Sequence, residues 1–371
     1  MNEKRPLRPI IAPVLLAVIL PDANKVSPRE ASPVLTTNCK LYQQQRCFVI
    51  RAICVYTSFN TPFALTMRID LRTCPSCIER LIHQTVDMAT NDVEFRGEAL
   101  AGALHAMRGM MSTDRIPTQV AGEVQRVIRR VTGNRDPHRK WKDDEMRQAR
   151  VLFEAVRPRY GSDIRSLLTL AILGNAPDFF KEVSEVREEM LRPVKYQVDH
   201  INKVAEFLEG ARSTLFMADP AMDNMMCFVP AVNLCMKKVV LLADNAGECY
   251  FDQPLVKEMA QVMLVTYAVK SSPVQNDLTE EDLLISGIYN QMGATIMGTT
   301  DTAGTDMELV SPVFRAEFDS ADLVIAKGMG NWETLSELPP SGKVFHLLVA
   351  KCSPVAESLG VPLGSYVAML R

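Results

Sequence analysis

The sequence lacks the features that mark several common classes of protein. Its 371 residues carry 41 Lys and Arg against 44 Asp and Glu, a net charge of −3, so it has no basic excess of the kind that binds nucleic acid or an anionic membrane. Only five histidines occur, and none lies beside a Ser or Cys in a setting typical of a nucleophile, which disfavours hydrolysis by a Ser-His or Cys-His pair. No G-x-G-x-x-G fingerprint is present, so a dinucleotide site is not indicated.

The sequence also lacks a disulfide framework. Its nine cysteines are odd in number and irregularly spaced, which favours a reducing compartment and predicts a cytoplasmic protein. Cys74 and Cys77 form one Cys-x-x-Cys, but no second pair and no histidine pair at zinc spacing follows. Buried structural thiols, a zinc half-site and a redox pair all remain open for these two residues.

The first 66 residues differ from the rest of the chain. The apolar run at residues 8–20 follows basic residues and superficially resembles a signal peptide. Pro9 and Pro13 interrupt this run, and it is too short to span a bilayer. Residues 21–66 show no sustained helical or strand period, so we expect residues 1–66 to be a disordered or non-native extension. A genuine export signal is the alternative, and the free thiols disfavour it.

The rest of the chain predicts an α/β fold. Between residues 67 and 212, apolar side chains recur at three- and four-residue steps, which is typical of helices. From Val239 onward, strand-like apolar runs alternate with helical segments, which indicates parallel βαβ units. We therefore expect an N-terminal helical domain over residues 67–212. A three-layer αβα domain with a mostly parallel, doubly wound sheet should follow over residues 213–371.

The most informative motif is Asp-Asn-Ala-Gly-Glu at residues 244–248. It directly follows the apolar run at residues 238–243, which predicts a buried strand. In open α/β sheets, ligands bind at the carboxyl ends of the strands, and the oxygens of Asp244 and Asn245 are ligands that a hard divalent cation prefers. The alternative is that Asp244 caps the next helix while Asn245 fills the turn.

Two further strand ends carry polar side chains. A predicted strand at residues 263–269 leads into a polar loop that contains Asp277, and a strand at residues 321–326 leads into Lys327, Gly328, Gly330 and Asn331. A lysine beside two glycines suits a phosphate, because the glycines free backbone N–H groups and the ammonium supplies charge. These ends in one sheet predict a combined metal and phosphate site.

These motifs resemble the metal-dependent phosphatases first catalogued as domain-of-unknown-function family 89, also called damage-control phosphatases. The resemblance covers roughly residues 67 to 371, and residues 213–237 are an intervening Met-rich segment that departs from it. The Cys-x-x-Cys is similar to that of the archaeal and bacterial subfamily. The matching stretches are residues 73–77, 172–178, 242–248 with 251–252, 273–282, 326–335 and 350–352.

The resemblance implies hydrolysis of phosphate monoesters of small metabolites, such as sugar phosphates, cofactor precursors or damaged phospho-metabolites. One divalent cation, Mg²⁺ or Mn²⁺ with Co²⁺ or Ni²⁺ also accepted, would be held by oxygen ligands. The expected metal ligands are Asp244, Asn245 and Asp277, which with Lys327 form the expected catalytic set. The expected substrate contacts are Asn175, Asp178, Gly328, Gly330 and Asn331.

Other readings stay open at this point. Either a water or Asp244 itself would attack the phosphorus, since a carboxylate can ligate a metal or act as a nucleophile. A nucleotide-binding module and an adenosylmethionine-dependent carboxyl methyltransferase on the same fold are the alternative functions. The expected partner is a small phosphorylated metabolite, without nucleic acid or membrane, and the sequence does not indicate an oligomeric state.

Overall fold

The computed structural model describes residues 66–176, 190–216 and 236–371. The predicted substrate residue Asp178 lies outside these ranges. So do the predicted N-terminal extension, apart from its last residue, and most of the Met-rich segment. The described residues all belong to one unit of the chain, and the predicted domain boundary after residue 212 stays a prediction.

The described residues contain eleven α-helices. Two of them show why the chain folds locally as it does: the Asp92 carboxylate accepts hydrogen bonds from the first turn of α2, and Gly133, at φ 69°, ends α3. The helices are α1 Cys74–Ala89, α2 Val93–Met110, α3 Pro117–Thr132, α4 Arg139–Val156, α5 Ile164–Gly174, α6 Ile201–Phe216, α7 Cys249–Ala260, α8 Glu280–Ser286, α9 Pro312–Ser320, α10 Gly328–Leu335 and α11 Ser353–Leu359.

Seven strands form one sheet in the order β1-β7-β6-β5-β2-β3-β4. Every neighbouring pair is parallel except β6 and β7, which are antiparallel. The short strand β1 falls in the range predicted as helical, where its four residues carried too little pattern to reveal it. The strands are β1 Tyr196–Asp199, β2 Lys238–Leu242, β3 Leu264–Val269, β4 Thr295–Gly298, β5 Leu323–Lys327, β6 Val344–Val349 and β7 Tyr366–Leu370.

Helices cover both faces of the sheet. Side chains from alternate positions of the central strands, such as Val239 and Leu241 of β2, pack against α5, α6, α7 and α8. Val240 and Leu242 point to the other face and pack against α9 and α10. Because both faces are buried, the strands are continuously apolar rather than alternating. The predicted three-layer, mostly parallel α/β sheet is confirmed.

The strand order reverses between β2 and β5. From β2 the chain proceeds to β3 and β4 on one side, and it then returns to place β5 and β6 on the other side of β2. Such a reversal opens a crevice beyond the carboxyl ends of the two strands, where ligands bind in folds of this class. The predicted site residues lie there: Asp244 and Asn245 follow β2, and Lys327 ends β5.

The helices α1, α2 and α3 pack around a separate apolar cluster that contains Ile82, Ala103 and Val124. Arg126 of α3 then reaches Asp301, in the loop after β4, with an Nη2–Oδ1 distance of 2.9 Å. No helix in the part of the chain that the structure describes is long and apolar enough to cross a bilayer.

Candidate active site

Backbone hydrogen bonds join the loops that follow β2 and β3. The amide of Leu278 donates to the carbonyl of Asp244 at 2.9 Å, and the amide after Asn245 donates to the carbonyl before Asp277 at 2.8 Å. Asn245 and Asp277 thereby form an isolated antiparallel β-bridge. The structure therefore brings Asp277 beside Asp244 and Asn245, although it lies 32 positions after Asn245 in the chain.

The carboxylate of Asp244 lies directly against the backbone of Gly328, the first residue of α10. Gly328 has a φ of +76°, and a Cβ atom there would overlap the carboxyl group of Asp244. Glycine is required for both reasons, since it adopts positive φ without strain and leaves the space that the carboxylate fills. The contact of Gly328 with substrate stays a prediction. In the structure, the absence of a side chain at Gly328 leaves room for the carboxylate of Asp244.

Asn175, at the end of α5, fastens the helical layer to the site. Its Nδ2 donates to Asp244 Oδ2 and to Glu248 Oε1, both at 2.8 Å, and its Oδ1 accepts from the amide of Val349 at 3.0 Å. Asn245 Nδ2 also donates to Glu248 Oε1, at 2.8 Å. Glu248 therefore accepts from two amides and fixes the orientation of both.

Lys327 is fully buried beneath this layer. Its Nζ lies 2.7 Å from Glu248 Oε2 and 2.6 Å from Asp252 Oδ1, while the hydroxyl of Tyr267 donates to Asp252 Oδ2 at 2.9 Å. Burial alone would lower the pKa of Lys327, but the two carboxylates outweigh it and raise that pKa. Burial likewise opposes ionisation of Glu248, yet Lys327 holds its pKa below the usual value.

Asp277 pairs with Lys270, but its geometry leaves one oxygen unsatisfied. The Lys270 Nζ lies 3.6 Å from Asp277 Oδ2, and this buried oxygen has no hydrogen-bond partner. Lys270 Nζ instead donates to the carbonyl of Gly304. Burial raises the pKa of Asp277 to about 6 against the opposing charge of Lys270. Asp277 thus keeps a free acceptor at the site.

Burial, and then the charges of Glu248 and Asp277, raise the pKa of Asp244 well above its ordinary value. Carboxylates forced together in this way favour a bound cation, which relieves their repulsion. Across residues 66–176, 190–216 and 236–371, no three His, Cys, Asp or Glu side chains form a group able to hold a metal ion. The predicted donor set instead combines two carboxylates with the amide oxygen of Asn245, which is compatible with a hard cation.

Asn331 of α10 is committed to partners within the protein. Its Nδ2 donates to the carbonyls of Ala243 and Lys327 at 3.3 and 2.8 Å, and its Oδ1 accepts from the hydroxyl of Thr305 at 2.8 Å. It therefore joins the ends of β2 and β5, and its predicted contact with substrate stays a prediction.

A cavity of about 790 Å³ opens over these residues. It contains the predicted residues Asn175, Asp244, Asn245, Asp277 and Gly330, whereas Lys327 is not part of its wall. Several of its other residues come from α1, α3 and the loop after β6. The lining also includes Thr118, Glu145, Glu333, Lys351 and Cys352.

Sequence reasoning missed Glu145, which lies on the buried face of α4. Its Oε1 accepts from the amide of Gly247 at 3.1 Å, and its Oε2 accepts from Asn276 Nδ2 at 2.8 Å. Burial raises its pKa to about 7. The signal in the sequence is the helical spacing of Glu145 from Lys142 and Ala149. This signal is weak, because Lys142 on the same buried face is charged as well.

Sequence reasoning also gave no role to Lys351 and Glu333, although both fall inside motif stretches. Lys351 follows the carboxyl end of β6, has an exposed side chain and lines the cavity. Its charge lowers the pKa of Asp244, although burial and the neighbouring carboxylates dominate that pKa. It is therefore a cation at the mouth of the site.

Comparison with known proteins agrees with this arrangement. The family profile of the damage-control phosphatase ARMT1-like domain matches residues 71–367. The damage-control phosphatase PH1575 of Pyrococcus horikoshii is 30% identical over 303 residues, which cover 80% of this chain and 96% of that protein. A damage-control phosphatase of Archaeoglobus fulgidus is 27% identical over 302 residues, with 80% and 96% covered.

The fold agrees as well. The crystal structure of a DUF89 family protein, PH1575 of Pyrococcus horikoshii, matches with a TM-score of 0.68 at 29% identity, covering 82% of this chain and 99% of that one.

The contact between Gly328 and Asp244 yields a test with a matched control. Gly328→Ala places a methyl group in the space of the Asp244 carboxylate, whereas Gly360→Ala, at φ +66°, meets nothing within 4 Å. In both variants the alanine adopts a left-handed conformation, which costs about 1–2 kcal/mol of folding stability. We expect the free energy of unfolding of Gly328→Ala to fall by a further 1–3 kcal/mol, roughly the cost of overpacking. Unfolding by urea measures the difference. Equal losses for the two variants would contradict the close approach.

Proposed function

The chain belongs to the damage-control phosphatase ARMT1-like domain family, and on that premise we propose that it is a metal-dependent phosphatase. Its proposed substrates are phosphate monoesters of small metabolites: sugar phosphates, cofactor precursors or damaged phospho-metabolites. The name of the Pyrococcus horikoshii relative supports the damage-control role. We further propose a cytoplasmic location, and the assignment to a Cys-x-x-Cys subfamily stays a prediction.

The observation that carries the proposal is the pairing of the loops after β2 and β3. It brings Asp244, Asn245 and Asp277 to the wall of one cavity at the carboxyl edge of the sheet. The residues present suit a divalent cation, because Asp277 Oδ2 is buried without a hydrogen-bond partner and Asp244 is crowded by other carboxylates. We propose that these three residues hold Mg²⁺ or Mn²⁺, with Co²⁺ or Ni²⁺ as substitutes.

When bound, such a cation polarises the phosphoryl group and promotes attack at phosphorus. The chain's own side chains fix the geometry around it. Asn175 orients Asp244, and Glu248 orients the amide of Asn245 so that its carbonyl oxygen points away from the Glu248 carboxylate. Glu145 ties α4 to both loops. Each of these bonds is made before substrate arrives, so little reorganisation is left for the reaction.

We propose that Lys351, rather than Lys327, is the cation that meets the phosphoryl group. Lys327 Nζ is neutralised by Glu248 and Asp252 and does not line the cavity. Lys351 is exposed, lines the cavity and makes no ion pair within the described residues. A mobile ammonium group suits this task, because it approaches a phosphate oxygen without breaking an existing pair. Lys327 then acts indirectly, by keeping Glu248 ionised.

The first test is metal-dependent turnover by the whole chain. With Mg²⁺ or Mn²⁺ present we expect hydrolysis of p-nitrophenyl phosphate, and excess EDTA should abolish it until metal is restored. Circular dichroism before and after EDTA controls for unfolding. Turnover that EDTA leaves unchanged would contradict the proposal. Binding of adenosylmethionine without any turnover would favour the methyltransferase instead.

The second test separates the two lysines. Lys351→Met should lower kcat/KM by about 10²–10³, the usual cost of losing one electrostatic contact to the transition state. Because Lys351 is exposed, the unfolding midpoint of this variant should equal that of the parent. Lys327→Met should instead destabilise the fold by about 3–5 kcal/mol, since it leaves two buried carboxylates without their counter-charge.

The pair of variants is read by combining kcat/KM with urea unfolding. Lys257→Met, which removes an exposed lysine from α7, is the control for removal of a lysine. Full activity of Lys351→Met, together with a stable but inactive Lys327→Met, would return the phosphate contact to Lys327.

A further inference from the structure

Glu333 of α10 has no part in the proposed metal or phosphate contacts. It is 9% exposed, yet it lines the same cavity as Asp244, Asp277 and Lys351. It lies two residues after Asn331, on the helix that starts at Gly328. Glu333 is therefore placed to contact the part of a substrate that lies away from the proposed phosphate contacts at Asp244, Asp277 and Lys351.

The carboxyl group of Glu333 lacks a counter-charge. Burial raises its pKa to about 8, and the one interaction that opposes this shift comes from the nearby backbone N–H of Thr118, in the first turn of α3. In residues 66–176, 190–216 and 236–371, no lysine, arginine or histidine lies within ion-pairing distance of it. A buried carboxyl group without a cationic partner is costly to ionise, so its position calls for a ligand group.

The neighbouring groups that interact with Glu333 cannot provide a positive charge. The thiols of Cys74 and Cys352 both feel its negative charge, and burial raises the pKa of each, that of Cys352 to about 11. They are therefore neutral at physiological pH. Thr118, whose backbone N–H lowers the pKa of Glu333, is uncharged as well. Hydrogen bonding alone is what the protein offers on this side of the cavity.

The cavity as a whole has an excess of acidic residues. Its described lining contains four carboxyl groups, those of Glu145, Asp244, Asp277 and Glu333, and one lysine, Lys351. The proposed divalent cation and Lys351 offset the charge at the phosphate end, and neither is assigned to Glu333. Away from the phosphate end, the described lining therefore offers no cationic side chain to a second anionic group of a substrate.

We propose that Glu333 is a specificity-determining residue, and that the preferred substrates are phosphate monoesters that also carry an ammonium group. The inference rests on the proposed phosphatase function. The phosphate is bound at the loops of Asp244 and Asp277, and the ammonium group donates charge-assisted hydrogen bonds to Glu333. Binding supplies the missing counter-charge, so Glu333 ionises with its ligand in place. A neutral ester gains no such pair.

Matched substrate pairs test this inference on the whole chain with Mn²⁺. Suitable pairs are glucosamine 6-phosphate with glucose 6-phosphate, and pyridoxamine 5′-phosphate with pyridoxine 5′-phosphate. We expect kcat/KM to favour the amino member of at least one pair by about 10- to 100-fold, the range for a hydrogen bond to a charged group. In Glu333→Gln this preference should fall to about 1, through a rise in KM for the amino ester alone.

Glu333→Gln preserves size and keeps an acceptor oxygen toward the backbone N–H of Thr118, so its thermal midpoint should match that of the parent. Glu308→Gln removes the same charge from an exposed site and should keep the preference. Equal turnover of amino and neutral esters by the parent would overturn the inference while leaving the phosphatase function intact. So would an equal loss on both esters in Glu333→Gln. Absence of turnover on every ester with metal present would refute the phosphatase function, and the inference with it.

Discussion

The site depends on one constraint, the backbone pairing between the loops after β2 and β3. Just beyond the ends of the two parallel strands, the loops pair in antiparallel fashion, and the amide of Leu278 donates to the carbonyl of Asp244. Because backbone groups make this contact, the side chains of Asp244, Asn245 and Asp277 stay free to converge. The reversal of strand order between β2 and β5 then opens the crevice in which they lie.

A buried network of charge stabilises that convergence. Lys327 lies between Glu248 and Asp252, and Glu248 in turn accepts from Asn175 and Asn245. The lysine thus supports the site from below instead of facing the cavity. Removal of one member of such a network leaves its partners buried and unpaired, so the network holds the site in a single geometry at a cost in desolvation.

Local pattern in the sequence was enough to predict the sheet and the polar strand ends, because buried parallel strands are continuous apolar runs and their carboxyl ends meet at one edge. It assigned the phosphate contact to Lys327 and gave no role to Lys351, although both lie at the carboxyl ends of neighbouring strands. The choice between the two lysines depends on Glu248 and Asp252, whose contact with Lys327 exists only once α7 packs on the sheet. The sequence did not predict a role for Glu145 or Glu333 for the same reason, since burial of an isolated carboxyl group is a property of the folded chain.

The central claim is that Asp244, Asn245 and Asp277 together hold one divalent cation. Titration of the whole chain with Mn²⁺, followed by electron paramagnetic resonance of the free ion, tests it without any substrate. We predict one tight site per chain, and an affinity at least about 100-fold weaker in Asp277→Asn, since even indirect neighbours of a metal are worth 10–100-fold. Asp114→Asn, at an exposed loop position, should bind as the parent does. Undiminished Mn²⁺ affinity in Asp277→Asn would contradict the account.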